Sequence, residues 1–390
     1  MSGSEKFDVI IYGATGFTGK LVAEYMVAQY GTSVSWAMAG RNLEKLTAVR
    51  DEVGADKNTP LIIADASQPE SITAMVKQAR CICTTVGPYQ LYGSDLVASC
   101  AAEGTDYVDL SGEPVWMHQM ISEHHETAVS TGARIVHSCG FDSLPFDLGV
   151  LFLQDAAKEK FGNTCPRVRG RVRAMNGEFS GGTAASMGAT MAAVSKNPEL
   201  IKALVNPFAL ADGFQGPEQP ADNKPYEDTV LGQWVAPFIM AAINTKNVHR
   251  SNALMGHPYG ENFEYDEMML TGPGEAGKAT AKVVASVNPL AGDDAPLPGE
   301  GPSRESREAG NYDVLFVGTT ADGQEIRAAV TGDMDPGYGS TSKMITESAL
   351  CLIEDCADLP GGIYTSAPAM GHKLIKRLVD KAGLTFTLES

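Results

Sequence analysis

The chain has 390 residues, a mass of 41.2 kDa and a formal net charge of −18, from 30 Lys and Arg against 48 Asp and Glu. This length suits two domains, and 43% hydrophobic with 20% charged residues is typical of a globular protein. The excess of carboxylates repels the phosphates of nucleic acid and of anionic membrane surfaces. We therefore expect no nucleic-acid partner, and any anionic ligand needs a local site that works against the overall field.

The beginning of the chain predicts neither secretion nor membrane insertion. Residues 1–6 are polar, and the first apolar run, at residues 9–12, ends at a glycine. A membrane span needs about 20 apolar residues. With no export signal, we interpret the seven irregularly spaced cysteines as reduced, packed thiols and expect a cytoplasmic protein with no integral membrane segment. The sequence also lacks an HExxH motif, so we expect no catalytic metal.

The first third of the chain alternates apolar strands with helical patterns. The strands are continuously apolar, whereas apolar residues recur every three or four positions in the helical segments. This alternation predicts a parallel sheet covered on both faces, a doubly wound Rossmann-type domain. We predict strands at residues 7–12, 34–39, 61–64, 81–86, 107–109 and 134–137, and helices at 18–29, 42–53, 69–79 and 94–103.

The pattern changes after about residue 140, where strands become alternating and loops become long. Asp322-Gly323 between two alternating strands is a hairpin signal. The pattern predicts a second, α+β domain with a mostly antiparallel sheet. We predict helices at residues 144–160, 183–205, 341–356 and 371–382, strands at 167–176, 263–270, 278–286, 312–319 and 325–332, and surface loops at 206–228 and 288–310. The predicted division is 1–140 for the nucleotide domain, 141–335 for the second domain and 336–390 for a C-terminal helical segment.

A glycine-rich loop connects the first strand to the first helix. Gly13 can make the tight turn, Gly16 allows close approach of a pyrophosphate, and Gly19 allows the helix to pack on the strand. The N–H groups at the helix N-terminus then point at the phosphates. Because the motif opens the first strand–helix unit of an alternating chain, it predicts a dinucleotide site. Its residues are Gly13, Ala14, Thr15, Gly16, Phe17, Thr18 and Gly19.

The ends of the next two strands indicate which dinucleotide binds. NAD sites place an acidic residue at the end of the second strand, but here the strand runs into Arg41 with no carboxylate. A guanidinium can bind the 2′-phosphate of NADP, so we predict NADP; the alternative is a solvated arginine. Asp65, after the third strand, is expected at the adenine end, with a helix N-cap as the alternative.

The loop after the fourth strand is expected beneath the nicotinamide ribose, because ligands of such sheets bind outside the carboxyl ends of the strands. Glycine and proline here are equally consistent with a simple turn, so a site role for the tyrosine that follows them stays open. The loop residues are Val86, Gly87, Pro88 and Tyr89.

Seven short motifs run almost from end to end of the chain. They are GATGFTG at residues 13–19, AGR at 39–41, VGPY at 86–89, YVDLSGE at 107–113, GFDSLPFD at 140–147, DPGYG at 335–339 and GGIYT at 361–365. Together they resemble the saccharopine dehydrogenase-like oxidoreductases, and within them the branch that includes the trans-acting enoyl reductases of mycobacterial glycolipid synthesis. The resemblance implies a second domain inserted before a C-terminal segment that returns to the nucleotide domain.

The resemblance also implies an NADPH-dependent oxidoreductase. Hydride would pass to an activated C=C of an enoyl, acyl or lipid-like substrate, or to a related C=O or C=N bond. Two alternatives stay open: an imine-forming amino-acid dehydrogenase of the saccharopine type, and an NADP-binding scaffold or regulatory protein without turnover. The expected partners are a small-molecule or acyl-thioester substrate, free or carrier-bound, and in one alternative a second copy of the chain.

Four residues are candidates for the chemistry. Asp142 enters a predicted helix at the nicotinamide end and is either a proton donor or the helix N-cap. Tyr338 could donate a proton to an oxyanion or be a packed aromatic in a glycine turn. Tyr89 is a third candidate. Glu113 closes another strand-end loop as a site acid or as a carboxylate favoured by a helix dipole.

Four arginines alternate along the predicted strand at residues 167–176, so their side chains share one face. One interpretation is a sheet face with acidic cross-strand partners such as Glu264 and Asp266. The other is a basic stripe that docks a phosphopantetheine carrier or coenzyme A. The arginines are Arg167, Arg169, Arg171 and Arg173.

Overall fold

Two seven-stranded sheets organise the part of the chain that the computed structural model describes, which is residues 6–177, 181–211, 213–287 and 300–390. The strands are β1 (Phe7–Tyr12), β2 (Trp36–Gly40), β3 (Leu61–Ile63), β4 (Ala79–Thr84), β5 (Asp106–Val108), β6 (Arg134–Val136), β7 (Arg167–Asn176), β8 (Tyr226–Asp228), β9 (Gln233–Pro237), β10 (Glu264–Gly272), β11 (Asn311–Thr319), β12 (Glu325–Gly332), β13 (Gly362–Tyr364) and β14 (Leu384–Glu389).

Helices cover both sheets. They are α1 (Phe17–Tyr30), α2 (Leu43–Glu52), α3 (Pro69–Val76), α4 (Tyr89–Tyr92), α5 (Ser94–Glu103), α6 (Pro114–Thr131), α7 (Leu144–Phe161), α8 (Gly181–Lys196), α9 (Ile201–Val205), α10 (Ala241–Leu254), α11 (Gly274–Ser286), α12 (Arg304–Ala309), α13 (Thr341–Glu354), α14 (Ser366–Ala369) and α15 (Gly371–Arg377). A short 3-10 turn lies at Pro198–Leu200, and wider turns lie at Pro336–Ser340 and Leu378–Ala382.

The first sheet is parallel throughout, in the order β13-β6-β5-β4-β1-β2-β3. Every residue of β2 and residues 9–12 of β1 are buried, as expected for strands covered on both faces. The predicted doubly wound Rossmann-type sheet is therefore confirmed. Its edge strand β13 comes from the C-terminal part of the chain and was not predicted, because it lies far from the alternating strand–helix pattern of the first third.

The second sheet has the order β14-β12-β11-β7-β10-β9-β8. Within this second sheet, the β7–β10 pair is parallel and the other pairs of described strands are antiparallel. Helices α7 and α10 pack on this sheet. The predicted α+β domain with a mostly antiparallel sheet is confirmed, and the Asp322-Gly323 hairpin joins β11 to β12.

Several predicted elements need correction. Residues 278–286 are not a strand but the second half of α11, in which Gly277 and Ala281 are buried one helical turn apart. The predicted helix at 183–205 is broken at Asn197-Pro198, because proline cannot continue a helix interior. The predicted loop at 206–228 ends in β8. Within the predicted loop at 288–310, α12 forms, while residues 288–299 lie outside the described residues.

The C-terminal part of the chain contributes to both halves of the molecule. Helix α13 packs against α1, β1, β4 and β5, and its apolar residues Met344, Ile345 and Leu352 are fully buried. Strand β13 pairs with β6, whereas β14 returns to the second sheet beside β12. The division of the chain at residues 140 and 335 stays a prediction.

Three of the four arginines of β7 have acidic partners, namely Arg167, Arg171 and Arg173. Arg171 is fully buried between Asp228 (2.9 Å) and Asp266 (2.9 Å). Arg167 also pairs with Asp266. Arg173 binds Asp313 (2.8 Å) and Glu389 (2.6 Å), and Arg169 donates to Thr319. These pairs favour the cross-strand interpretation over a carrier-docking stripe.

All seven cysteines are buried free thiols. Among the described residues, no helix is both long enough and apolar enough to cross a membrane.

Candidate functional site

A cleft of about 860 Å³ opens at the carboxyl ends of the parallel strands. Its walls include the residues that follow β1 to β6, together with α8, the start of α10 and the turn Pro336–Ser340. Ligands of doubly wound sheets bind at this edge. Thirteen of the sixteen predicted site residues line the cleft: Gly13, Thr15, Gly16, Phe17, Thr18, Arg41, Asp65, Val86, Gly87, Pro88, Tyr89, Asp142 and Tyr338.

The other three are buried outside the cleft lining: Glu113, described below, and Ala14 and Gly19, in the loop itself. A Cβ on Gly19 would lie 2.2 Å from the carbonyl oxygen of Gly13, so this glycine lets α1 pack against the loop. Gly13 has φ +92°, and a Cβ there would lie 2.7 Å from Val86 Cγ2. Both positions therefore require glycine, as the spacing predicted.

Gly16 is the N-cap of α1. No side chain caps this helix end, and its first turn contains no acidic residue. A Cβ on Gly16 would meet only the Gly13 carbonyl oxygen, at 3.3 Å. The loop therefore leaves the positive end of α1 open to the cleft, and that geometry fits a bound pyrophosphate.

Two exposed cations line the cleft beyond β2. One is Arg41, and the other is Lys45, in the first turn of α2. Asn42 caps α2 by accepting the Lys45 N–H at 2.9 Å. The sequence reasoning missed Lys45, although its position one helical turn after Arg41 was a readable signal. Two cations with no acid at the strand end fit the 2′-phosphate of NADP.

Asp65 also lines this end of the cleft. Its Oδ1 accepts hydrogen bonds from the Ser67 N–H (2.9 Å) and hydroxyl (2.8 Å), and these bonds hold the pKa of Asp65 below its usual range. Burial, and then the Asp65 charge, raise the pKa of Tyr12 to about 12. Gln68, and not Asp65, is the N-cap of α3, so the helix N-cap interpretation of Asp65 is wrong. Its carboxylate instead stabilises a turn on the cleft wall.

Tyr89 follows the cis peptide Gly87–Pro88 and forms part of the cleft floor. Its hydroxyl donates to the Thr84 carbonyl (3.3 Å) and accepts the Leu110 N–H (3.0 Å), and its ring stacks on Trp116. Burial is the main cause that raises the pKa of Tyr89 well above its usual range. Both bonds hold the hydroxyl on the backbone, an arrangement that suits a positioning role.

Glu113 lies behind the cleft wall and is 1% exposed. Its carboxylate accepts the N–H groups of Tyr89 (2.8 Å) and Gln90 (2.9 Å), at the start of α4, and the hydroxyl of Ser186 (2.7 Å), on α8. The Gln90 amide adds a hydrogen bond to Thr190 at 3.1 Å. Glu113 therefore ties the loop after β4 to α8.

Asp142 lies in the cleft wall, where its carboxylate accepts a hydrogen bond from Thr183 on α8. Burial raises its pKa to about 6, despite this hydrogen bond. Ser143, rather than Asp142, occupies the N-cap position of α7. A half-buried carboxyl with a pKa close to neutral can both hold and release a proton under ordinary conditions.

Ser143 adopts φ 142°, an unusual value for a non-glycine residue. Its hydroxyl donates to Asn244 Oδ1 (2.9 Å) and accepts from the Asn247 amide (2.7 Å). The Asn244 amide in turn donates to buried Glu267 at 2.8 Å. This network holds a strained backbone beside Asp142, and strain of this kind is concentrated at functional sites.

Tyr338 lies between the glycine-rich loop and the start of α8. Its ring meets Phe17 edge to face at 4.8 Å, and its hydroxyl accepts the Gly181 N–H at 3.2 Å. Asp335 accepts the Tyr338 N–H at 2.9 Å and the Gly339 N–H at 2.8 Å, which fixes the turn. The residue is a packed aromatic on the cleft wall whose hydroxyl bonds to the start of α8.

Sequence reasoning missed the far side of the cleft. Helix α8 and the start of α10 supply residues that no motif marked: Thr183, Ser186, Met187, Thr190, Met240 and Ile243. The described residues contain no group of three or more His, Cys, Asp or Glu side chains arranged to hold a metal ion.

Comparison with known proteins agrees with this geometry. Residues 9–136 match the saccharopine dehydrogenase NADP-binding domain. A putative trans-acting enoyl reductase of Mycobacterium tuberculosis is 40% identical over 400 residues, covering 96% of this chain and 95% of that protein. A trans-acting enoyl reductase of Mycobacterium bovis is 38% identical over 408 residues, covering 97% of each chain.

Among solved structures, apo saccharopine dehydrogenase (L-Glu forming) from Saccharomyces cerevisiae has the same fold. The TM-score is 0.55 at 12% identity, covering 98% of this chain and 99% of that one. At this identity, the likeness concerns the fold alone.

The fold and the nucleotide end of the cleft define an NADP-dependent oxidoreductase. The chain belongs to the saccharopine dehydrogenase-like family, in the branch of the trans-acting enoyl reductases.

Proposed function

We propose that the protein reduces the C=C bond of an α,β-unsaturated acyl thioester at the end of the cleft that contains Asp142. The observation that carries this proposal is that a carboxyl with a pKa of about 6 lines the same cleft as the glycine-rich loop. The names of the relatives that match over nearly their whole length support an enoyl substrate.

At the nucleotide end, the roles we propose follow from position. The loop Gly13–Thr18 and the N-terminus of α1 hold the pyrophosphate. Arg41 and Lys45 bind the 2′-phosphate, and Asp65 borders the adenine. The loop of Val86, Gly87, Pro88 and Tyr89 supports the nicotinamide ribose, with Tyr89 holding its shape through backbone hydrogen bonds.

NADPH, when bound, supplies a hydride, which together with one proton converts C=C into a single bond and leaves NADP⁺. Asp142 donates that proton to the α-carbon. Thr183 orients the carboxyl by its hydrogen bond, and the Ser143–Asn244–Glu267 network fixes the backbone that carries it. A general acid with a pKa near the working pH is effective because it is both protonated and able to give up its proton.

Tyr338 has a supporting role in this proposal. Its ring packs edge to face against Phe17 and thereby supports the glycine-rich loop. Its hydroxyl accepts a hydrogen bond from Gly181 and orients the start of α8. We place it beside the thioester carbonyl, where a phenol stabilises the enolate that forms during reduction. Carrier attachment of the substrate and homo-oligomerisation of the protein stay predictions.

The test uses the purified protein, NADPH and three substrates with chains of about eight carbon atoms. These are the trans-2-octenoyl thioester of N-acetylcysteamine, 2-octanone, and 2-oxooctanoate mixed with lysine. We expect loss of NADPH absorbance with the thioester and formation of the octanoyl thioester by mass spectrometry. Oxidation of NADPH only with the oxo acid and amine would instead identify an imine reductase. NADPH binding with no oxidation of any substrate would identify a non-catalytic protein.

A further inference from the structure

Exposed apolar side chains are unevenly distributed over the molecule. Thirteen large hydrophobic residues are exposed among those the structure describes, and six of them lie on α4, α8 and α9. Solvent-exposed apolar residues that cluster mark a binding surface, whereas scattered ones need no explanation. The six are Leu91 (61%), Tyr92 (46%), Met187 (40%), Met191 (57%), Ile201 (51%) and Val205 (73%).

This cluster is continuous with the cleft. Leu91, Tyr92 and Met187 line the cleft at its rim, and Leu204 of α9 joins them. Deeper in, Met240, the N-cap of α10, and Ile243, in its first turn, line the same cleft and are buried. One apolar path therefore leads from the wall around Asp142 to the surface.

The two ends of the cleft differ in polarity. The nucleotide end contains Arg41, Lys45, Asp65 and Ser67, whereas beyond Asp142, at its inner end, the path has no charged side chain among the described cleft residues of α10, α8 and α4. A charged or strongly hydrated group would lose its water on this path without finding a partner. The path suits a ligand that is apolar along its length.

The hydrogen bonds between α4 and α8 fix the width of the path. Gln90 of α4 bonds to Thr190, and Glu113 bonds to both α4 and Ser186 of α8. These hydrogen bonds hold α4 against α8, while the exposed large side chains at the opening, Leu91, Tyr92 and Met187, are apolar. Such a wall is preorganised, which lowers the cost of ordering it around a ligand.

We propose that Leu91, Tyr92, Met187 and Leu204 form the exit of a subsite for the alkyl chain of the substrate. This inference rests on the proposed function, because it places the reacting end of the chain near Asp142. A second copy of the protein or a membrane could cover the rim, but neither could also reach Met240 and Ile243 inside the cleft. A flexible alkyl chain can contact both.

The probes are saturated thioesters of N-acetylcysteamine, which are uncharged: butyryl, octanoyl and dodecanoyl. Each is titrated by calorimetry into protein saturated with NADP⁺, so no turnover is needed. Burial of a methylene is worth about fourfold in affinity, so we expect a rise of about two- to fourfold per methylene from butyryl to dodecanoyl. An affinity that does not change with chain length would overturn the subsite.

The variants are Leu91→Asp and Met187→Asp, with Val283→Asp as the matched control. Val283 is 62% exposed on α11, away from the cleft. Because all three positions are exposed, each variant should keep its fold, which circular dichroism checks. We expect the rim variants to weaken dodecanoyl binding about tenfold and butyryl binding hardly at all, and Val283→Asp to change neither.

Equal weakening of butyryl and dodecanoyl binding by the rim variants would contradict the subsite. So would rim variants that leave dodecanoyl binding intact but change the sedimentation coefficient, since the rim would then contact a second copy. If chain-length dependence holds while no enoyl thioester is reduced, the subsite stands and the proposed reaction fails. If enoyl thioesters are reduced at rates and affinities independent of chain length, the reaction stands and the subsite fails.

Discussion

The two ends of the cleft are built in different ways. The nucleotide end is formed by residues that follow β1, β2 and β3, among them the glycine-rich loop with the start of α1, Arg41 and Asp65. The far end brings together side chains from distant parts of the chain, among them Asp142, Thr183, Ile243 and Tyr338. In the proposed function, the first end holds the cofactor and the second holds the group that is reduced. We therefore expect variants at the two ends to affect cofactor binding and turnover independently.

The largest effect is expected at the nucleotide end, from Gly16→Asp. A carboxylate at the open end of α1 would repel the pyrophosphate. It would also prevent two or more charge-assisted hydrogen bonds from the loop N–H groups to the phosphates, each worth about 1.5–3 kcal/mol. NADPH affinity should fall about a thousandfold or more in a fluorescence titration. Gly188→Asp on α8, where an added Cβ meets nothing within 4 Å, is the control. Unchanged NADPH binding in Gly16→Asp would show that the cofactor binds elsewhere.

Asp142→Asn tests the far end and should separate it from the nucleotide end. The amide cannot donate an acidic proton, so kcat should fall about a hundredfold while NADPH affinity stays within about twofold. In the wild type, kcat/KM should decline above about pH 6, as the carboxyl loses its proton. The variant should lack this decline, and Asp147→Asn, at a buried carboxyl outside the cleft, should keep it. Equal loss of NADPH binding and turnover in Asp142→Asn would mean that the two ends are not independent.

The same carboxyl should also be visible in stability. Its folded-state pKa, about 6, lies above the ordinary 3.8, so the folded protein binds this proton more tightly than the unfolded chain. That contribution is full below the unfolded pKa and is lost as pH rises through about 6. The unfolding free energy of Asp142→Asn minus that of the wild type should therefore increase by about 1–3 kcal/mol as the pH is raised from about 4 to about 8, measured by urea denaturation. A pH-independent difference would contradict the raised pKa.

Arg41→Ala should change the preference for NADPH over NADH without affecting the far end of the cleft. A charge-assisted hydrogen bond to the 2′-phosphate is worth about 1.5–3 kcal/mol, so NADPH binding should weaken about tenfold and NADH binding hardly at all. Raised salt should reduce the wild-type preference, because the guanidinium is exposed. Lys57→Ala removes a comparable exposed cation outside the cleft and should have no effect. Equal loss of both cofactors in Arg41→Ala would show that Arg41 does not bind the phosphate.

Tyr338→Phe should give the smallest effect. The variant keeps the edge-to-face contact with Phe17 and loses one hydroxyl, so kcat should fall about threefold to tenfold with NADPH affinity unchanged. Tyr312→Phe removes a buried hydroxyl that is hydrogen-bonded to Ser340 outside the cleft, and this variant should leave kcat unchanged. A larger loss of NADPH affinity than of kcat would place the Tyr338 hydroxyl on the nucleotide end.

The nucleotide end could be predicted from sequence because its determinants are local. Gly13 and Gly19 are required by a positive φ and by a 2.2 Å approach within one loop, and such requirements show directly as glycine spacing. Lys45 was missed even here, although its spacing from Arg41 was visible. Asp65 lines the cleft, and its place at the adenine end stays a prediction. Its hydrogen bonds to Ser67 depend on a turn that residue types alone do not specify.

The far end could not be predicted because tertiary packing creates it. No motif places Thr183 beside Asp142, or brings Met240 and Met187 into one cleft, since both arrangements depend on how α8 and the start of α10 pack around the cleft. The same limit explains the error at residues 278–286. Alternating small apolar residues imitated a strand, but burial of Gly277 and Ala281 against neighbouring elements selects a helix.

Strands β13 and β14 complete opposite sheets although only a short segment separates them in sequence. During synthesis on the ribosome, both sheets therefore lack an edge strand until this segment has left the exit tunnel. The nucleotide domain therefore cannot complete its fold before the second domain. Domains formed by separate, consecutive chain segments can fold one after the other. Both halves should instead acquire protection from proteases together and late. Until then, the exposed edges of β6 and β12 are the places where a chaperone would be needed.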